Sequence, residues 1–94
     1  MLTNFDGIKN AILLSLAECK INAMQVLLIG SLARGDARKT SDADIIICFK
    51  KNKIPSDENI YNLIRSLESK IGRNVDLIVF EYKRKFIRHD ERDI

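Results

Sequence analysis

Leu28-Ile-Gly-Ser-Leu-Ala-Arg-Gly-Asp-Ala-Arg-Lys-Thr-Ser-Asp-Ala-Asp-Ile-Ile-Ile47 is the stretch whose reading decides the fold. It leaves an apolar run, 26–29, at Gly30-Ser31 and crosses a polar loop. It then enters a second apolar run, 45–49, through Asp42 and Asp44. Side chains alternate faces along a strand, so residues two apart project together, and Asp42 and Asp44 are expected side by side. Two adjacent carboxylates each resist ionising, and the usual remedy is a bound cation. A hard ion such as Mg²⁺ takes carboxylate oxygens and leaves positions for phosphate and water, and two such ions can clamp an in-line displacement at phosphorus. Gly30, at a strand end, lets backbone approach a ligand closely. A helix beginning at Ser31 would offer an anion its free N–H groups, with the Ser31 hydroxyl beside them. A third apolar run, 75–80, carries one more carboxylate, Asp76.

Working outward, residues 3–20 read as a helix with Thr3, Asn4 or Asp6 at its start. Ile8, Ala11, Ile12, Ser15 and Cys19 follow helical spacing, with Leu13, Leu14 and Leu16 widening the stripe. The first strand is 25–29, nearly all apolar and so expected to be buried on both faces. A short helical turn over 31–34 ends at Gly35, and a basic loop leads to the second strand, 43–49. A basic turn containing Pro55 follows. Ser56 or Asp57 then caps a helix to about Ile71, striped by Ile60, Leu63, Ile64, Leu67 and Ile71 and stopped at Gly72. The strand–helix–strand order from 43 to 80 favours parallel pairing of the second and third strands. The short 31–41 connection makes the first strand antiparallel to the second. This topology brings Gly30-Ser31, Asp42, Asp44 and Asp76 to one end of a small mixed three-stranded sheet flanked by helices, an α+β (α/β) fold.

The 94 residues make one domain, 1–94, with a charged tail at 81–94. No apolar run approaches the roughly 20 residues of a membrane span. No signal peptide is expected, because the apolar segment at 12–17 lacks a basic leader. Cys19 and Cys48 lie far apart without a ligand-like spacing, which suits free thiols in a reducing cytoplasm and argues against zinc. The net charge is +3, with basic clusters at Lys50-Lys51-Asn52-Lys53 and Lys83-Arg84-Lys85. Either could meet a nucleic acid backbone. Solvated turn and tail are favoured, because no aromatic side chains interleave the first cluster.

Gly30-Ser31, ten residues, then Asp42-x-Asp44 resembles the signature of the DNA polymerase β-like nucleotidyltransferase superfamily. The fuller run Gly-Ser-Leu-Ala-Arg-Gly-(x)₅-Ser-Asp-Ala-Asp-Ile is similar to the minimal nucleotidyltransferase (MNT) family, over residues 1 to about 80. The resemblance implies a nucleotidyltransferase fold and transfer of NMP, AMP from ATP, to an acceptor hydroxyl. It implies Asp42, Asp44 and Asp76 as catalytic metal ligands for Mg²⁺, two ions in all, with Asp76 as ligand or general base near the attacking nucleophile. Gly30, Ser31 and Arg34 would bind the nucleotide, and Arg38 is added from its place in the same loop. The resemblance also implies a partner: such proteins are commonly paired with a helical HEPN-family toxin ribonuclease, whose tyrosine the antitoxin subunit adenylylates.

Arg84-Lys-Phe-Ile-Arg-His89 fits the Arg-x₄-His spacing of the HEPN ribonuclease itself. That site needs a helical bundle for which this chain has no room, so the match is read as chance. Typical family members continue past the third strand with another helix and often a final strand. The base-binding wall is therefore expected to be missing, supplied by a partner or replaced by a second copy, and stand-alone antibiotic modification or RNA tailing is disfavoured. The alternative to an enzyme is a non-catalytic binding subunit of the same fold that neutralises or scaffolds a partner protein.

Overall fold

The computed structural model describes residues 2–82 and 92–94. Helix α1 (Phe5–Glu18) begins where the Asn4 side chain accepts the Gly7 N–H at 2.6 Å. Strand β1 (Gln25–Ile29) runs straight into the short helix α2 (Gly30–Arg34), and β2 (Ala43–Phe49) follows a loop. Helix α3 (Asp57–Ile71) is capped at its start by Ser56, whose hydroxyl accepts the Asn59 N–H at 3.3 Å. It ends at Gly72 in the left-handed conformation. Strand β3 (Val75–Glu81) follows after three residues, and a two-residue strand, β4 (Arg92–Asp93), comes last.

The sheet order is β3-β2-β1-β4. The three predicted strands pair as their connections dictate: β1 antiparallel to β2, with Ile29 opposite Asp44, and β2 parallel to β3, with Asp44 beside Asp76. The fourth strand, too short to carry a periodic signal, pairs antiparallel with β1. This leaves β1 flanked on both sides, and Gln25, Val26, Leu27 and Leu28 are buried.

Both long helices cover one face of the sheet. Ile8, Ala11 and Ile12 of α1 and Leu63, Leu67 and Ile71 of α3 join Val26, Leu28, Ala43, Ile45, Ile47 and Phe49 in one core. Burying such side chains stabilises by about 1.5–3 kcal/mol each. Leu13 and Leu14 depart from the expected stripe: they are 46% and 56% exposed, because the sheet and α3 together cover only the Ile8–Ile12–Ser15 side of α1. Polar groups finish the helix–helix contact. Ser66 donates to the fully buried Ser15 at 2.9 Å, and Lys70 bridges Ser66 and Glu18 at 3.0 and 2.7 Å.

The other sheet face carries a smaller cluster of Leu27, Ile46 and Cys48, flanked by Ile29 and Tyr82, while Ile78 and Phe80 of β3 stay exposed. Cys19 and Cys48 are free thiols, and burial pushes the Cys48 thiol up. Lys83-Arg84-Lys85 and the Arg84–His89 spacing lie outside the described residues. No helix among the described residues is long and apolar enough to cross a membrane.

Candidate active site

The β1 chain turns sharply into α2 at Gly30, whose φ of +73° lies in the left-handed region. A side chain there would be strained by its backbone. It would also have no room, because a Cβ on Gly30 would sit 2.7 Å from Asp44 Oδ2. The glycine is thus the floor on which the Asp44 carboxylate lies. Ser31 follows, half-buried, with its carbonyl accepting the N–H groups of Gly35 and Asp36 at 2.9 and 3.0 Å. Gly35, at φ +85°, closes the turn. Leu32 and Ala33 are buried and seat α2 on the core, fixing the Gly30-Ser31 corner.

Asp42 is exposed one residue before β2, and Asp44 is half-buried at its second position. In register on the parallel neighbour stands Asp76, exposed. Paired residues on adjacent strands share a face and lie about 4.8 Å apart across the ladder. The electrostatics register this crowding: the Asp44 carboxyl is raised from its ordinary value, first by burial, then by the charges of Asp76 and Asp42. The three carboxylates that the sequence singled out therefore lie at one end of the sheet, with Asp44 against the Gly30 corner.

Among the described residues, no three acidic, histidine or cysteine side chains close on a common point as a ready-made metal cage. The donor set suits a Mg²⁺-like ion nonetheless. Such ions bind through one or two carboxylates and complete an octahedron with water and substrate phosphate. The Asp44 carboxyl is raised by burial first and by its two acidic neighbours second, so its charged form is disfavoured in the metal-free protein.

Arg34 stands at the end of α2, exposed, with Nε 3.4 Å from Asp36 Oδ2, a surface pair that adds little stability. Arg38 is exposed in the following loop. Lys50, Lys51 and Lys53 follow the opposite end of β2, on the order of 20 Å away at strand rise, and Lys50 and Lys53 line a separate hollow of about 580 Å³ with Lys20.

One residue in the site's support escaped sequence reading. Arg73 is only 6% exposed; its Nε donates to the Leu2 carbonyl at 2.9 Å, and one terminal nitrogen donates to the carbonyls of Arg38 and Ser41 at 2.6 and 2.8 Å. A lone arginine after a helix-stopping glycine resembles any solvated turn residue. Its partners are backbone carbonyls, which leave no sequence signal.

This site can be set beside known proteins. Residues 13–92 match the family model described as Polymerase beta, Nucleotidyltransferase. A protein of Methanocaldococcus jannaschii named "Putative protein adenylyltransferase" is 37% identical over 76 residues, which is 76% of each chain. A solved structure described as that of a "putative minimal nucleotidyltransferase" is 31% identical, with a TM-score of 0.60 over 76% of this chain and 68% of the other. A toxin–antitoxin crystal structure with AMP-PNP shares the fold, with a TM-score of 0.63 at 24% identity over 76% of this chain. The chain spans 56% of the length of that toxin–antitoxin protein. The chain belongs to the polymerase β-like nucleotidyltransferase family.

Proposed function

We propose that this protein transfers AMP from ATP to an acceptor hydroxyl, and that the acceptor is a tyrosine of a HEPN-type toxin for which it acts as antitoxin. The observation that carries the transfer chemistry is the registered pair Asp44–Asp76, with Asp42 within electrostatic reach and Gly30 beneath the Asp44 carboxylate. The protein partner and the adenosine donor are supported by likeness: a relative named for protein adenylyltransfer, and a toxin–antitoxin neighbour solved with AMP-PNP.

In this reading Asp42 and Asp44 are the residues that would hold divalent cations, through their carboxylate oxygens. When bound, Mg²⁺ neutralises the phosphates and stabilises charge on the departing pyrophosphate. The Gly30-Ser31 corner receives the triphosphate, because no side chain at Gly30 blocks close approach and the Ser31 hydroxyl can donate to a phosphate oxygen. Arg34 is near enough in sequence to turn from Asp36 toward the pyrophosphate. The acceptor oxygen attacks the α-phosphorus as the bond to pyrophosphate breaks. Asp76, exposed one strand over, would take the acceptor's proton on its carboxylate, or would serve as a further metal ligand with that proton passing to water. Most of the rate comes from holding these groups in line and neutralising charge.

The test is incubation of the chain with Mg²⁺, α-labelled ATP and a HEPN-type partner protein. Label retained on the partner's tyrosine, and lost with Asp42→Asn or Asp44→Asn, is the expected result. Partner binding that survives both substitutions, with no label transferred, would replace the enzyme by a binding subunit.

A further inference from the structure

We propose that Arg73 is a positioning residue for this site: a buried guanidinium that locks the loop bearing Asp42 to the segment bearing Asp76. The inference rests on the proposed reading of the three aspartates. Asp42 lies on loop 36–42, outside β2, so β-sheet pairing does not hold it. Arg73 supplies what the ladder does not, gripping the Arg38 and Ser41 carbonyls with one nitrogen, the second being the residue immediately before Asp42. The loop is braced internally where the Ser41 hydroxyl accepts the Arg38 N–H at 2.9 Å and the Ser41 N–H reaches the Arg38 carbonyl at 3.0 Å. Arg73 therefore holds a preformed turn by both of its ends.

The same segment leads into β3. Asn74 accepts the Ala43 N–H at 2.9 Å, Val75 donates to Glu68 at 3.0 Å, and Asp76 follows. Residues 73–76 thus fix Asp42 and carry Asp76, so the spacing between the two carboxylates is set by one short piece of chain. Among the described residues, the second terminal nitrogen of Arg73 is buried without a hydrogen-bond partner. Burying a cationic donor incompletely satisfied is unfavourable, and packing alone does not call for a cation here. What the guanidinium uniquely supplies is a rigid planar fork that can hold several carbonyls at once. Its Nε contact with the Leu2 carbonyl extends the clamp to the start of the chain.

The experiment uses the full chain with Arg73→Lys and Arg73→Met. Hydrogen exchange at the Ser41 and Ala43 amides reads the clamp without any nucleotide. Calorimetric titration of ATP at increasing Mg²⁺ reads its consequence. Arg73→Met is expected to speed exchange at both amides. It should also raise the Mg²⁺ concentration for half-maximal ATP binding by about tenfold to a hundredfold, the usual cost of losing a residue that orients metal ligands. Arg73→Lys, which keeps the charge but not the fork, should fall between. A purely structural arginine would lower the melting temperature and leave the Mg²⁺ dependence of the folded variants unchanged, which overturns the proposal. Loss of folding in both variants overturns it as well, since Arg73 would then be a fold residue. If the wild-type chain binds ATP with no Mg²⁺ dependence, the proposed function fails instead, and with it the role assigned to the clamp.

Discussion

The two faces of the sheet are built from the same strands and do opposite work. Ala43, Ile45, Ile47 and Phe49 point toward the helices and are essentially inaccessible to solvent. Their neighbours in sequence point the other way: Asp44 toward the Gly30 corner, and Ile46 and Cys48 into the smaller buried cluster, while Asp76, Ile78 and Phe80 of the adjacent β3 are exposed. Strand alternation thus lets β2 carry the main core on one side and, on the other, the Asp44 carboxylate at its start followed by a small apolar cluster. Stability and chemistry are separable here, and substitutions on the two faces should fail in different ways.

The largest effect is expected on the covered face. Phe49→Ala removes a fully buried ring from between the helices and the sheet and should cost about 3–5 kcal/mol. A domain of this size has about 5–15 kcal/mol in all, and urea unfolding measures the loss. Asp44→Asn should do the reverse. Nucleotidyl transfer should fall about a hundredfold to a thousandfold, the range for removing one preorganised charge-stabilising contact, while the metal-free protein becomes more stable at neutral pH. The sign follows from the raised Asp44 carboxyl. Below its unfolded value the group is neutral in both states and costs nothing; once pH passes the raised folded value, its full charge penalty is present. The stabilisation of Asp44→Asn should therefore appear as pH rises through the carboxylate range and vanish in acid, as thermal melts in chelator will read.

Gly30→Ala is intermediate. The left-handed backbone should cost about 1–2 kcal/mol, and the new methyl must displace the Asp44 carboxylate from 2.7 Å. Activity should fall with it, and in the double variant with Asp44→Asn the two activity losses should not add, since both act through one carboxylate. Ile78→Thr, on the open face and 37% exposed, should change stability by no more than about 0.5 kcal/mol.

The contrast between faces also explains what was legible beforehand. The bounds of β1 and β2 followed from apolar runs between polar loops, those of α3 from its helical stripe between a Ser56 or Asp57 cap and Gly72, and the nearness of Gly30, Asp44 and Asp76 from the strand–helix–strand order and the short 31–41 connection. Leu13 and Leu14 misled, because apolar content shows that a helix can be covered but not how wide its neighbour is. β4 was out of reach, since two residues have no period. Arg73 was invisible for a different reason: its partners are carbonyls, and every residue has one.

The central claim is that Asp42, Asp44 and Asp76 gather divalent cations over the Gly30-Ser31 corner to receive a nucleotide triphosphate. Crystals of the protein with Mn²⁺ and a non-hydrolysable ATP analogue test it most directly, through anomalous scattering. Manganese held between Asp42 and Asp44, with phosphates on Gly30 and Ser31, is the predicted result. Manganese absent from the aspartates while the analogue is bound elsewhere on the chain would contradict it.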